Sequence, residues 1–434
     1  YAPGTNHVLY GGDFGDKPNL KAFCLNGVVF SDRSVSAKYQ EVKHVYAPVW
    51  ITQKGDEVWV KNHHSHLSLE GFSCQYQVTK NGVVGQESVL KMPSVQPGDS
   101  AKLCSLHDFK AYKNTDSRLN ISVISQQGVE VGREQIALSD NLYEAGWKLA
   151  ADAMKRYKSS RRLATLSTAE LLARNISVIP QFFRAPTDND KSFGNWIAKD
   201  WKKTHLDSTL SAIPLKDGEY VYHYGEDGAS DKAGSSASAK SGGNIRLRLE
   251  VAPQQDGFVD VKATYSFEGN LPELPRLGLM MKLPRVAYDQ VKWYGRGPWE
   301  NYPDRKQSCP IGWYESSVED QFTHYPRPQD NGNHEDCSYI ELTNKNGKNA
   351  LQVIAVGDTP LSFSALPYSV ADLYAARHDF ELKQSGNPNL RYTYFSLDCA
   401  VLGLGNSSCG PGVLKKYAID KTRSYTLHFK MRIL

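Results

Sequence analysis

Between residues 46 and 142 apolar and polar positions alternate with a period of two, the spacing of half-buried strands. V-Y-A-P-V-W-I-T (Val45–Thr52), E-V-W-V-K-N (Glu57–Asn62), F-S-C-Q-Y-Q-V-T (Phe72–Thr79), A-K-L-C-S-L (Ala101–Leu106) and L-N-I-S-V-I-S (Leu119–Ser125) are each strand-length. K-G-D, K-N-G and Q-P-G-D separate them, and Asn81-Gly82 is the clearest hairpin turn. This spacing predicts a small immunoglobulin-like β-sandwich over 46–142. The period then changes. Tyr143–Tyr157 and Thr168–Asn175 have helical spacing, with the basic run K-R-Y-K-S-S-R-R between them. Residues 143–175 read as a connector, and the basic run as a solvated face.

From residue 176 alternation returns. I-R-L-R-L-E-V-A (Ile245–Ala252), F-V-D-V-K-A-T-Y-S-F (Phe258–Phe267) and S-Y-T-L-H-F-K-M-R-I (Ser424–Ile433) are clean strands. Gly225–Gly243 is rich in Gly, Ser and Ala and reads as a loop. So many strands over 176–434 predict one large β-sandwich. Residues 1–45 hold Y-G-G-D-F-G-D (Tyr10–Asp16), F-C-L-N-G-V-V-F-S-D-R (Phe23–Arg33) and a helical stretch, Ser34–Val42. That is too little for a domain and reads as the tail of one. The fold class is therefore mainly β: a small sandwich followed by a large one.

Composition narrows the function classes. Net charge is +4 over 434 residues and no helix carries a basic stripe, so nothing points to nucleic acid. No apolar run is long enough to span a bilayer. The seven cysteines are scattered and odd in number, without a C-x-x-C. That argues against a zinc ribbon and a disulfide scaffold. It fits a reducing compartment, although a large periplasmic protein also carries free thiols. The first residues, Tyr1-Ala-Pro-Gly-Thr, have no initiator Met and no leader pattern. They read as the interior of a longer protein, and the compartment cannot be read from them.

The densest chemistry lies in Lys292–Arg305, K-W-Y-G-R-G-P-W-E-N-Y-P-D-R. Its glycines and prolines predict an ordered turn or loop. Aromatic faces beside Arg and carboxylates suit a sugar ring and its hydroxyls. The same residues also make a structural knot, with guanidinium groups stacked on rings and paired to acids, and the knot is the favoured reading. His64 and His66 would share a face on a strand, but no third metal ligand is near. There is no G-x-S-x-G. Cys409, in G-L-G-N-S-S-C-G-P-G, has His378 as its nearest candidate base, and a buried structural Cys is the commoner case. Glycoside hydrolysis needs two facing carboxylates. Asp188/Asp190, Glu300/Asp304 and Glu335/Asp336 are all loop pairs, and spacing selects none of them.

W-Y-G-R-G-P-W-E-N-Y-P-D-R, R-A-P-T-D-N-D (Arg184–Asp190) and Y-G-G-D-F-G-D with F-C-L-N-G together resemble the large bacterial β-galactosidases of glycoside hydrolase family 2. The resemblance covers residues 10–140 and 176–434 and weakens at 143–175. It implies that 1–45 end a (β/α)8 barrel, that 46–142 form the family's second immunoglobulin-like domain, and that 176–434 form its final large sandwich, of the galactose-mutarotase type. It also implies a retaining β-galactosidase acting on terminal β-D-galactosides, with its two catalytic glutamates on barrel strands upstream of this chain. No catalytic residue is therefore assigned, and the chain alone is expected to be inactive, shaping the rim of the active site. By resemblance Phe23, through its carbonyl, and Asn26 are ligands of a sodium ion that touches the sugar, and magnesium ligands lie upstream. Lys191–Gly194 resembles a mobile loop beside the active site. Cys409 stands where some members place a Trp as a platform for the aglycone, which puts lactose preference in doubt. Expected partners are a β-galactoside or oligosaccharide, the rest of the β-galactosidase chain, and a further copy in a homo-oligomer. The competing reading, from another class, is a non-catalytic carbohydrate-binding or complementing subunit.

Overall fold

The computed structural model describes all residues except 1–3, 6, 26, 113–114, 140, 159–177, 213–214, 227, 234–241, 255–256, 348, 358–359, 384–387 and 406–411. The architecture is mainly β, an immunoglobulin-like sandwich followed by a much larger one. The first sandwich holds β1 (Val49–Lys54), β2 (Glu57–Asn62), β3 (Ser73–Lys80), β4 (Val83–Leu90), β5 (Ser100–Ser105), β6 (Ser117–Ile124) and β7 (Glu130–Ser139). They form a three-stranded sheet, β1-β2-β5, facing a four-stranded sheet, β4-β3-β6-β7. The inward residues are the alternating ones: Val58 and Val60 of β2, Cys74 and Val78 of β3, and Leu119, Ile121 and Val123 of β6. Asn81 and Gly82 both have positive φ, 47° and 77°, as the hairpin between β3 and β4 requires.

The large sandwich contains β8 (Val178–Gln181), β9 (Gly218–Gly225), β10 (Gly228–Ala233), β11 (Gly243–Pro253), β12 (Val259–Gly269), β13 (Arg276–Pro284), β14 (Gln290–Arg296), β15 (Ile311–Ser317), β16 (His334–Cys337), β17 (Tyr339–Thr343), β18 (Ala350–Ala355), β19 (Leu361–Leu366), β20 (Tyr392–Val401) and β21 (Tyr425–Ile433). One sheet has nine strands, β10-β9-β11-β12-β21-β18-β17-β14-β15, and the other five, β16-β19-β20-β13-β8. Val259, Val261, Ala263 and Tyr265 of β12 and Leu277, Leu279, Met281 and Leu283 of β13 meet in the core between them. Helix α1 (Ala37–Val45) precedes the first sandwich and α2 (Leu142–Lys158) follows it. Ala145 and Ala150 of α2 pack on Tyr294, Tyr339 and Ile354, the outer face of the nine-stranded sheet. The helical spacing of Tyr143–Tyr157 is thus a real helix, laid on the second sandwich. Thr168–Asn175 falls outside the described residues. No described helix is long and apolar enough to cross a membrane.

Four local expectations change. The first half of K-W-Y-G-R-G-P-W is strand β14, paired on both sides, because Val291 and Trp293 face the core. Gly295 there allows close approach: a Cβ would sit 2.4 Å from the Cys337 sulfur. The segment read as a loop from Gly225 to Gly243 includes β10, which extends the sheet edge. Residues 192–194, read as part of a mobile loop, are the first turn of helix α3 (Ser192–Lys203). His64 and His66 lie beyond the end of β2 and share no strand. The described residues contain no cluster of three or more His, Cys, Asp or Glu placed to hold a metal ion.

Candidate functional site

The three sequence motifs converge because two of them pin the same stretch of backbone. Arg184 is fully buried and grips Asp190 through two bonds, Nε to Oδ2 at 3.0 Å and Nη2 to Oδ1 at 2.8 Å. Its Nη1 donates to the Leu402 carbonyl at 2.9 Å. Asn189 donates to the carbonyls of Leu404 and Gly405, both at 3.1 Å. From the other side Asp304 accepts from the amides of Leu404 at 2.9 Å and Gly405 at 2.8 Å. Residues 402–405 are therefore held by R-A-P-T-D-N-D and by W-E-N-Y-P-D-R at once.

Next to this clamp lies a buried ionic network. Arg276 pairs with Asp398 at 2.6 Å and Asp330 at 3.5 Å, and the Tyr302 hydroxyl donates to Asp330 at 2.9 Å. Glu300 accepts from Arg305 Nη2 at 2.9 Å, from the Tyr325 hydroxyl at 2.6 Å and from the Gly332 amide at 2.8 Å. Burial pushes the Glu300 carboxyl up, but Arg305 and these hydrogen bonds outweigh it and hold the group below the usual range. Arg296 and Lys306 both meet Asp336. The aromatic–charged stretch is the knot that its composition favoured.

The members of the three carboxylate pairs have different partners. Asp190 is locked to Arg184 while Asp188 is exposed, 3.9 Å from Arg327. Glu300 belongs to the knot and Asp304 caps backbone amides. Glu335 accepts from Asn333 at 2.8 Å, whereas Asp336 turns to Arg296 and Lys306. His378 is likewise engaged, by Asp13 at 2.8 Å and Glu381 at 3.1 Å. Its suggested partner Cys409 lies outside the described residues.

Two adjoining cavities separate the N-terminal segment from the large sandwich. One, of about 980 Å³, is lined by His7, Phe30, Trp299, His324 and His334 among others. The other, of about 320 Å³, is where the motifs meet. Its wall includes Cys24 and Leu25, Asp188 and Asn189, Arg305, and Leu404. Cys24 adjoins Phe23, which sits in a 3-10 turn, Lys21–Leu25, and is 39 % exposed. Asn26 and residues 406–411 lie outside the described residues. A hard cation such as sodium takes oxygen ligands. The described residues of the Phe23 turn offer backbone carbonyl oxygens of the kind such a cation takes. The sequence reading missed Lys38, Tyr325, Arg327 and Gln329, all on this wall. The signal available for the last three was T-H-Y-P-R-P-Q-D (Thr323–Asp330), another Pro-punctuated run of aromatic, cationic and amide residues.

Comparisons with known proteins give the family. The family model for the TIM-barrel domain of family 2 glycosyl hydrolases matches residues 2–51. The β-galactosidase small-chain family matches residues 154–432, and the chain belongs to that family. A β-galactosidase of Priestia megaterium is 27% identical over 99% of this chain and 43% of its own length. One from Lactobacillus delbrueckii subsp. bulgaricus is 28% identical, again over 99% of this chain and 43% of its own length. The chain thus spans less than half the length of these relatives. Among solved structures, an Amycolatopsis orientalis exo-chitosanase matches 64% of this chain and 24% of its own at 14% identity, with a TM-score of 0.21; nothing is drawn from it.

Proposed function

We propose that this chain is the C-terminal, non-catalytic part of a retaining β-galactosidase, docking on a family 2 barrel and forming the rim of its active site. One observation carries the reading. Of the twenty large apolar side chains exposed among the described residues, eleven fall within residues 14–50, among them Phe14, Leu20, Val29, Val35, Val42 and Tyr46. Neither the 3-10 turn nor α1 buries a single residue. Scattered exposed apolar residues are ordinary, but a concentration of this kind marks a surface meant to be covered. The occupant that fits is the rest of a barrel, since the barrel family's model covers this same segment.

The ion pairs that engage Asp190, Glu300 and Asp336 support a non-catalytic role. The catalytic glutamates are proposed to reside on the partner barrel, with its magnesium site. Phe23 and Asn26 are proposed to complete a sodium site there, and Cys409 to border the aglycone. The test is hydrolysis of a chromogenic β-galactoside by the 434-residue chain with sodium and magnesium present, alongside calorimetry with a neutral galactoside. The reading expects neither turnover nor measurable affinity. Turnover would overturn it, and micromolar affinity without turnover would replace it with a stand-alone carbohydrate-binding module.

A further inference from the structure

The five-stranded sheet has a second face, turned away from the core, that is polar and yet buried. Leu277, Leu279, Met281 and Leu283 of β13 fill the core side, so Met280 lies on the other. Ile179 of β8, Met280, Ser396 of β20 and Ser364 of β19 follow one another across the strands in one row, and Gln181 stands two residues along β8 from Ile179. Helix α4 (Val370–Ala375) and a 3-10 turn, Leu206–Ser211, cover this face. Between cover and sheet lies a cavity of about 80 Å³. All its lining residues belong to the large sandwich. At its rim Ala371 is exposed and Leu210 and Val370 are partly so, which gives the cavity a way to solvent.

The lining carries one cation and one anion, Arg276 and Asp330, and they are paired with each other at 3.5 Å. The site is therefore neutral. Thr209 is engaged by the Leu206 carbonyl and the Tyr224 hydroxyl, both at 2.8 Å. Three further polar side chains are not engaged. Gln181 is 5 % exposed and Ser364 and Ser396 are each 4 % exposed, and among the described residues none of the three side chains has a hydrogen-bond partner. Buried amides and hydroxyls are normally satisfied, and three left open around one cavity call for a molecule that bonds to them. An amide and two hydroxyls can each donate and accept, so they suit hydroxyl groups rather than an ion. Met280, Leu366 and Leu373 supply apolar wall for the carbons between those hydroxyls.

We infer that this cavity is a binding site for a small neutral polyol of about three carbons, the size of glycerol, with Gln181, Ser364 and Ser396 as its hydrogen-bonding ligands. The volume sets the size. At about 30 Å³ per water it has room for two or three waters, or for the short chain that replaces them. It is far below the roughly 300 Å³ at which sites for larger ligands begin. The inference concerns the large sandwich alone and does not depend on the proposed function. It does bear on the rim: Asp330 lines both this cavity and the 320 Å³ one, so a bound polyol lies directly behind that wall.

The test uses the 434-residue chain labelled with ¹³C at its methionine methyl groups. It has five methionines, so the spectrum is simple, and the Met280 signal is identified by its loss in Met280→Leu. That signal is followed by NMR during titration with glycerol, 1-propanol and galactose, with Met92 of the small sandwich as the internal control. The inference expects a saturable shift of Met280 at roughly millimolar glycerol, as befits so small a ligand, with Met92 still. 1-Propanol has the same carbons and one hydroxyl, and galactose has the hydroxyls on too large a ring. Each should need at least roughly tenfold more, the worth of one or two lost hydrogen bonds. Gln181→Leu should weaken the glycerol response roughly tenfold and Ser396→Ala several-fold. Should Gln181→Leu fail to fold, Ser396→Ala decides alone. A shift that stays linear in glycerol, or that Met92 shares, is a solvent effect and overturns the site. Equal response to 1-propanol overturns the polyol, equal response to galactose overturns the size, and a glycerol response unchanged in the folded variants overturns the assigned ligands.

Discussion

The phenol of Tyr294, on β14 of the large sandwich, donates to Asp116 of the small one at 2.6 Å, and both residues are fully buried. Asp116 also pairs with Arg118 at 2.8 Å, so one carboxylate serves both domains. Gly82, at the β3–β4 hairpin, meets the same ring: a Cβ there would lie 2.8 Å from Tyr294 Cε2, at a φ of 77°. Tyr294→Phe leaves the carboxylate without one donor and should lower stability by about 1–3 kcal/mol. Gly82→Ala should cost at least about 1 kcal/mol through strain and the clash together. Urea unfolding monitored by fluorescence checks both. Unchanged midpoints would mean that the two sandwiches are joined elsewhere.

Arg305 and Glu300 form a pair in which each side chain is the other's main charge partner. Removing one leaves the other buried and uncompensated. Glu300→Gln and Arg305→Met should each cost about 3–5 kcal/mol, and the double variant less than the sum of the two. A double-mutant cycle in urea measures the coupling. Strictly additive losses would refute the pairing as a structural unit.

How much of this was legible beforehand depends on the length scale of the signal. The first sandwich was readable because each strand alternates cleanly and the turns carry Asn-Gly or Pro-Gly. The helix over Leu142–Lys158 was readable by the same rule at a period near four. Strand β14 was misread because Gly295, which serves close packing on Cys337, looks in sequence like a turn residue. The clamp on 402–405 was invisible, since Arg184 and Leu402 are 218 positions apart and nothing local announces their contact. Lys38 was missed for the opposite reason: a lone lysine on a short helix is normally a solvated one. Only its tertiary surroundings distinguish it.

His334 gives a pH dependence with a definite sign. Its imidazole is fully buried, within 2.6 Å of Gln321 Oε1, and burial pushes its pKa down from 6.5 to about 4. The unfolded chain therefore takes up this proton first as pH falls. Stability is complete above 6.5 and is lost progressively down to about 4, by about 3 kcal/mol from this residue. His334→Leu should be less stable throughout but should lose less between pH 7 and pH 4.5 than the parent. Parallel pH profiles in denaturant titrations would contradict the assignment.

The thiols should separate sharply by reactivity. Cys24 is exposed, whereas Cys74, Cys104, Cys309 and Cys337 are buried. Burial pushes the Cys74 thiol up to about 12 and the Cys104 thiol up to about 11, so neither offers thiolate at neutral pH. In a Cys409→Ser background, native protein treated with an aromatic disulfide reagent should release about one equivalent rapidly. Adding Cys24→Ser should abolish that phase, and denaturant should release the remainder. A fast phase that survives both substitutions would show that the sandwich cores open readily.

The exposed apolar segment leads to the prediction closest to function. Leu20 is 67 % exposed and Val42 is 41 % exposed, and neither supports the two sandwich cores. Charged replacements there should cost the isolated chain under about 0.5 kcal/mol, the usual limit for surface positions. If the surface is built to be covered, Leu20→Asp and Val42→Asp should nevertheless reduce binding of a hydrophobic dye by the chain and slow its self-association, seen by light scattering. Backbone amides of the 3-10 turn and α1 should exchange with deuterium faster than those of β12 or β13, because no buried side chain anchors them. The segment is not wholly loose. The Glu41 carboxylate accepts from the amides of Gln307 and Ser308, and Asp13 holds His378. Asp13→Asn combined with Glu41→Gln should therefore release the segment without unfolding the sandwiches, raising exchange over 10–45 alone. If the double variant instead lowered the global unfolding midpoint as much as Glu300→Gln does, residues 10–45 would belong to the core of this chain, and the case for a missing barrel surface would fall with it.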